Sequence, residues 1–200
     1  MKNEQNFTTI CTWDITSLKD LCNSASNDTW EQWKYRQVAY GTHVSLQSIP
    51  FSWSIDNGDS SANWSGEQKS DLQDCINANK GTPLANAVFA AVAELSKNRS
   101  GVITKLCLAK LLPREIVPPH TDNGPALQLP HRCHLPIISP LTCIFTVGDE
   151  SKNLVEGTWV EINNTITHGV VNSSDNFRVH IMCDIMPQAD YDANPVEVVK

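Results

Sequence analysis

Two hundred residues, 40% of them apolar, suit one domain that buries its core without disulfides or structural metals. A formal net charge of −7 excludes a sequence-independent grip on nucleic-acid phosphates, which needs a basic face, and favours small polar substrates or protein partners. Seven cysteines without a tight CxxC pair, behind the polar start MKNEQNFTTI, point to a reducing, cytoplasmic setting, and no run approaches the roughly eighteen apolar residues of a membrane helix.

In chain order, Asp14 or Thr16 is placed to cap a helix over Leu18, Leu21 and Cys22, and a second short helix is expected from Asp28. Trp30 and Trp33, three apart, read as core anchors. Thr42, Val44 and Leu46 then alternate with His43, Ser45 and Gln47, the pattern of a half-buried strand. Were its polar face to meet a pocket, His43 and Gln47 would read a substrate; the outward, solvent-facing arrangement is the favoured one. Residues 56–65, rich in Gly, Ser, Asn and Asp, are expected as a loop. GEQKSDLQDCINAN reads as a helix ending at Lys80-Gly81. The clearest helix is TPLANAVFAAVAELSKN, with Thr82 as N-cap, Pro83 in the first turn, and Leu84, Val88, Ala91, Val92 and Leu95 on one face. Its place is on the outside of a sheet.

From Gly101 onward the chain breaks into short β-type runs separated by Pro, Gly and Asn: VITKLCLAKLL, EIVPPHTD, HRCHLPIIS, LTCIFTV, GTWVEIN, ITHGVVN and FRVHIMCDIM. Their spacing implies a mainly β fold with helices (α+β): a double-stranded β-helix, or cupin-like jelly roll, braced by N-terminal helices. The expected organisation is a single domain over 1–200, with a helical and strand N-terminal support region at 1–100, a jelly-roll core at 101–187 and a C-terminal tail at 188–200.

The chemistry gathers in this second half. His120 and Asp122, two apart, leave the same face of an extended strand and can share one metal ion. His168, in TITHGVVN, is the candidate third ligand, completing a facial triad whose remaining positions stay open for substrate chemistry. Ten residues later Arg178 offers a fixed cation suited to gripping a carboxylate. Two imidazoles and one carboxylate suit iron(II), and with Arg178 they imply an oxygenase that uses 2-oxoglutarate and O2. Arg132 and His134 share a face opposite His131 and Cys133, so a zinc half-site through Cys133 and His134 is disfavoured. Arg178, His180 and Met182 likewise share a face, which brings His180 near the cosubstrate.

The segments PPHTD, HRCHLPI and EGTWVEINNTITHGVVNSSDNFRVHIMCDIMP resemble the aspartyl/asparaginyl β-hydroxylase family of iron(II)/2-oxoglutarate oxygenases, over roughly 102–187. The resemblance implies His120, Asp122 and His168 as metal ligands, and Arg132, His134 and Arg178 as contacts to 2-oxoglutarate. It departs from the family where a serine assists the distal carboxylate in some relatives, for the comparable place falls at or near Ala109. The short, soluble relatives that this chain resembles include hydroxylases of free amino acids. The implied substrate is therefore an amino acid, free or in a peptide, with release of succinate and CO2. The competing expectations are a metal-holding jelly roll without oxygenase activity and a hydroxylase of another small molecule. Two arginines placed for carboxylates argue against the first.

Overall fold

The computed structural model describes residues 5–39, 41, 44–55 and 64–200. In chain order the described residues form β1 (Phe7–Thr12), α1 (Thr16–Ser24), α2 (Asn27–Glu31), α3 (Tyr35–Ala39), β2 (Leu46–Ile55), α4 (Gly66–Asn79), α5 (Pro83–Ser96), β3 (Val102–Leu111), β4 (Ile116–His120), α6 (Pro125–Gln128), β5 (His131–Ile138), β6 (Cys143–Val147), β7 (Glu150–Lys152), β8 (Thr158–Ile162), β9 (His168–Asn172), β10 (Arg178–Met186), α7 (Gln188–Ala193) and β11 (Glu197–Val199). The strands assemble into two antiparallel sheets, a major one in the order β1-β8-β5-β10-β3-β2-β11 and a minor one in the order β4-β9-β6-β7. This is a jelly roll: two sheets facing one another across a core.

Strand alternation sorts the major sheet into two apolar faces. Leu106, Leu108, Leu135, Ile137, Ile181 and Cys183 point outward, where Leu18 and Cys22 of α1 and Leu84, Val88, Ala91, Val92 and Leu95 of α5 cover them. Cys107, Ala109, Leu111 and Met182 point inward, against Phe145, Val147 and Val170 of the minor sheet and Val117 of β4. The helices form where their caps demand. Thr82 Oγ1 accepts from the Ala85 amide at 3.2 Å, with Pro83 in the first turn of α5. Ser65 and Gln68 exchange hydrogen bonds of 3.1 and 2.8 Å in a capping box that starts α4. Trp30 and Trp33 are core anchors as expected, but for different layers: Trp30 joins the outer core and Trp33 packs edge-on against Trp53 in the inner one.

Two expectations, the strand over 42–47 and the C-terminal tail, are corrected. The strand expected over 42–47 begins only at Leu46, after a turn at Val44 and Ser45, and all ten residues of β2 are buried. It is not half-exposed, because β2 lies inside the sheet between β3 and β11 with helices packed on it. The N-terminal region, expected to hold helices and strands, contributes β1 and β2 to the major sheet. The stretch 188–200, expected as a tail, forms α7 and then β11, which pairs with β2 from Glu197↔Ile55 to Val199↔Trp53. Most of the loop expected at 56–65 lies outside the described residues.

Candidate active site

At one end of the space between the sheets, β4 and β9 pair with a register shift between Val117 and His120, after which His120 and His168 are direct Cα partners. Pro118 and Pro119 occupy the irregular step, where their missing N–H groups cost the ladder nothing. Gly169, next to His168, allows the close approach of the two strands: a Cβ there would meet the Val117 carbonyl oxygen at 2.9 Å and Pro119 N at 3.1 Å.

The three expected ligands converge. One donor atom each from His120, Asp122 and His168 lies within 4.8 Å of the others, and this is the cluster among the described residues with the make-up of a metal site. His120 Nε2 is 4.0 Å from Asp122 Oδ1, and His168 Nε2 is 4.0 Å from Asp122 Oδ2. Each imidazole is oriented from behind. His120 Nδ1 donates to the Pro118 carbonyl at 2.8 Å and His168 Nδ1 to the Ile166 carbonyl at 3.0 Å, which leaves both Nε2 lone pairs facing the carboxylate. Burial, opposed in part by the Ile166 bond and Asp122, pushes His168 down to about 4, so it is neutral and able to bind metal at neutral pH.

Asp122 is fixed as firmly. Asn164 Nδ2 donates to its Oδ2 at 2.8 Å and also to the Leu127 carbonyl at 2.7 Å, while the Asp122 amide donates to the Asn164 carbonyl at 3.3 Å. Arg132 Nη1 donates to the same Oδ2. Both side-chain bonds land on Oδ2, so Oδ1 is the oxygen left for an ion. Burial alone would raise this carboxyl, but Arg132, Asn164 and the two imidazoles hold it well below the usual carboxylate range.

The cavity beside this cluster, about 50 Å³, is lined by His120, Arg132, His134, His168, Arg178 and Met182, with Phe145, Ile162 and Val170 as its apolar walls. It accommodates a few waters, so a larger occupant enters only as the lining side chains move. Arg178 is buried at the start of β10, and its Nη2 donates to His180 Nδ1 at 2.5 Å. His180 therefore carries its proton on Nε2, a buried donor without an acceptor among the described residues. Burial, then Arg178 and His134, hold this imidazole well below its ordinary range, hence neutral.

His134 packs between Phe145 and His180, with ring centroids 5.4 and 5.8 Å away. Ala109, at the place where some relatives carry serine, lines the cavity and is the register partner of His180. Arg132 lines the cavity where the resemblance puts it, but Asp184 and Asp122 engage three of its nitrogens. Gln47 is a correction: its neighbour Leu46 lines the cavity, so Gln47 faces the helical layer instead, 3.4 Å from Glu31 and paired in register with Lys110. His43 lies outside the described residues.

Two supporting residues escaped the sequence reading. Asp184 shares the inward face of β10 with Arg178, His180 and Met182, so the alternation that found those three extends to it. Asn164 stands in a turn after β8, where no periodicity marks it.

The chain is similar to the viral collagen prolyl hydroxylase of Paramecium Bursaria Chlorella virus-1, at 10% identity, with 91% of this chain and 96% of that one covered and a TM-score of 0.53, which establishes a shared fold. A prolyl-4-hydroxylase of Pseudomonas putida aligns over 92% of this chain and 94% of its own at 10% identity and a TM-score of 0.45. A cupin domain of Bordetella pertussis covers 44% of this chain and 95% of its own at 16% identity and a TM-score of 0.33. Comparison with curated proteins gives no match. No helix among the described residues is long and apolar enough to cross a membrane. The sequence model of the aspartyl/asparaginyl beta-hydroxylase family matches residues 57–187. The His120–Asp122–His168 cluster suits the Fe(II) that such enzymes use with 2-oxoglutarate and O2. The chain thus belongs to the aspartyl/asparaginyl β-hydroxylase family and is a 2-oxoglutarate-dependent dioxygenase.

Proposed function

We propose that this enzyme hydroxylates an unactivated C–H of an amino acid, free or within a peptide, with His120, Asp122 and His168 holding the iron. The observation that carries the metal assignment is the convergence of three oriented donors on one point, each imidazole backed by a carbonyl and the carboxylate by Asn164 and Arg132. With iron and 2-oxoglutarate bound, the chemistry supplied is consumption of 2-oxoglutarate and O2, release of succinate and CO2, and insertion of one oxygen into the substrate.

The chain's own residues bind and orient. Arg178, buried and cationic, takes the distal carboxylate of the cosubstrate, and the His180 Nε2–H is the donor that a buried anion there would satisfy. His134 completes that wall. Arg132 acts as a positioning residue, because its guanidinium is already held by protein carboxylates and passes their constraint to Asp122. Phe145, Ile162 and Val170 keep bulk water from the reacting centre.

Residues 1–200 are taken as one oxygenase domain, since β1, β2 and β11 from outside the central stretch all join its major sheet. A cytoplasmic setting agrees with seven cysteines that are all free thiols. Screening free amino acids and short peptides for stimulated succinate release, followed by mass spectrometry for one added oxygen, tests the substrate class. Stimulation by an amino acid or peptide is expected; stimulation confined to other small molecules would overturn that part of the reading.

A further inference from the structure

The ring of Phe145 stands between the metal cluster and Arg178 on the minor-sheet wall of the catalytic cavity. It is the largest apolar side chain among the described residues that line this cavity, and it is buried. β6 and β9 pair so that Val147 lies opposite His168 and Phe145 opposite Val170. Alternate residues of a strand share a face, so Phe145 points inward one step from the metal row, on the way to Arg178. Its ring lies 5.4 Å from that of His134 and 5.9 Å from the Arg178 guanidinium carbon. Behind it Phe7 of β1 stands edge-on at 6.2 Å and 85°, a favourable aromatic contact, and the Lys152 ammonium covers Phe7 at 4.2 Å. Phe7 is not among the described residues that line the cavity, so it acts there through Phe145.

A 2-oxo acid held at both ends, by the metal at its oxo end and by Arg178 at its distal carboxylate, has a fixed span. A chain one methylene longer cannot stretch that span and must bow sideways. The added methylene is apolar, and the large apolar group that flanks the span is the Phe145 ring. A cavity of about 50 Å³ offers no slack to absorb the bow, and the brace from Phe7 keeps the ring from turning away. We propose that Phe145 is a specificity-determining residue for the cosubstrate, a braced ring that admits a five-carbon 2-oxo diacid and excludes its six-carbon homologue. This rests on the reading that Arg178 takes the distal carboxylate. The selection is by width at the middle of the span, whereas the selection against shorter acids is by reach to Arg178.

Anaerobic calorimetric titration of the Fe(II)-loaded full chain with 2-oxoglutarate, 2-oxoadipate and oxaloacetate tests the proposal. The wild type is expected to bind 2-oxoglutarate at least about tenfold more tightly than 2-oxoadipate, the worth of one methylene in a close-fitting pocket, and Phe145→Leu should bring that ratio to about threefold or less. Phe7→Leu, which removes the brace and leaves the lining intact, should lower the ratio part of the way. Oxaloacetate, one carbon shorter, should gain nothing in either variant, because its limit is reach and not the wall. Arg178→Ala should weaken both longer acids; unchanged binding of both would overturn the reading of Arg178 and the proposal with it. With Arg178 upheld, the proposal alone is overturned by a wild type that binds the six-carbon acid as tightly as the five-carbon one, or by oxaloacetate gaining as much as 2-oxoadipate, which would mark general loosening. It is overturned equally by the wild-type ratio persisting in Phe145→Leu, or in Phe7→Leu should the first variant lack cooperative unfolding.

Discussion

Arg132 and Asp184 form a two-pronged pair at the inner face of the major sheet, with Arg132 Nε and Nη2 donating to the two carboxylate oxygens at 2.9 and 2.7 Å. Asp184 is fully buried, and the third guanidinium nitrogen reaches Asp122, so the pair links the sheet to the proposed metal carboxylate. Asp184→Ala leaves a buried cation with one partner in place of two. The expected result is a loss of about 3–5 kcal/mol in urea unfolding, with weaker Fe(II) binding in the fraction that folds. A variant of wild-type stability would show that Asp122 alone suffices to hold Arg132.

Gly169 sets how closely β9 approaches β4. An alanine Cβ would press on backbone atoms of Val117 and Pro119 at 2.9–3.2 Å, and backbone cannot rotate away as a flexible side chain does. Gly169→Ala should therefore cost about 1–3 kcal/mol and, by moving His120 relative to His168, weaken Fe(II) binding at least several-fold. Anaerobic iron titration measures this; unchanged affinity would mean that the bulge at Pro118-Pro119 absorbs the added methyl.

Arg178→Ala separates the two halves of the site. Removing the buried cation should raise the 2-oxoglutarate concentration needed for half-maximal turnover by tenfold or more, while the iron requirement shifts little. Equal shifts in both titrations would place Arg178 outside the cosubstrate contact.

Acid sensitivity follows from His180 and Glu161. His180 is held well below its ordinary 6.5 by burial and by Arg178 and His134. The unfolded chain thus takes up a proton first as pH falls, and stability is lost from about 6.5 downward. Burial would raise Glu161, but His131, bonded at 2.7 Å, and Arg99, at 2.8 Å, together hold it below its ordinary 4.5, so its stabilisation is present above that pH and lost beneath it. The stability slope of His180→Gln between pH 6.5 and 5 should be shallower than that of the wild type by up to about 1.4 kcal/mol per pH unit. An identical slope would show that His180 does not titrate on unfolding.

Sequence reading reached the strands of the second half and the residues that gather at the candidate site because two-residue alternation places His120 with Asp122, Arg132 with His134, and Arg178 with His180 without knowledge of the fold. Caps at Thr82 and the i, i+4 pattern behind it located α5 for the same reason: the signals are local. What was not legible is tertiary. β1 and β11 are edge strands of modest apolarity whose only marker is a partner far along the chain. Gln47 looked eligible for a pocket because periodicity says which residues share a face but not which face turns inward. Arg132 carried the right charge in the right place, yet its engagement by Asp184, more than fifty residues away, depends on the pairing of β5 with β10.

The central claim is that His120, Asp122 and His168 form one iron site that drives 2-oxoglutarate turnover. Its most direct measurement is Fe(II)-dependent release of succinate from 2-oxoglutarate by the wild type, His120→Ala and His168→Ala. The account predicts succinate from the wild type and a loss of at least a hundredfold in each variant, with folding retained. Wild-type turnover by either histidine variant would contradict it.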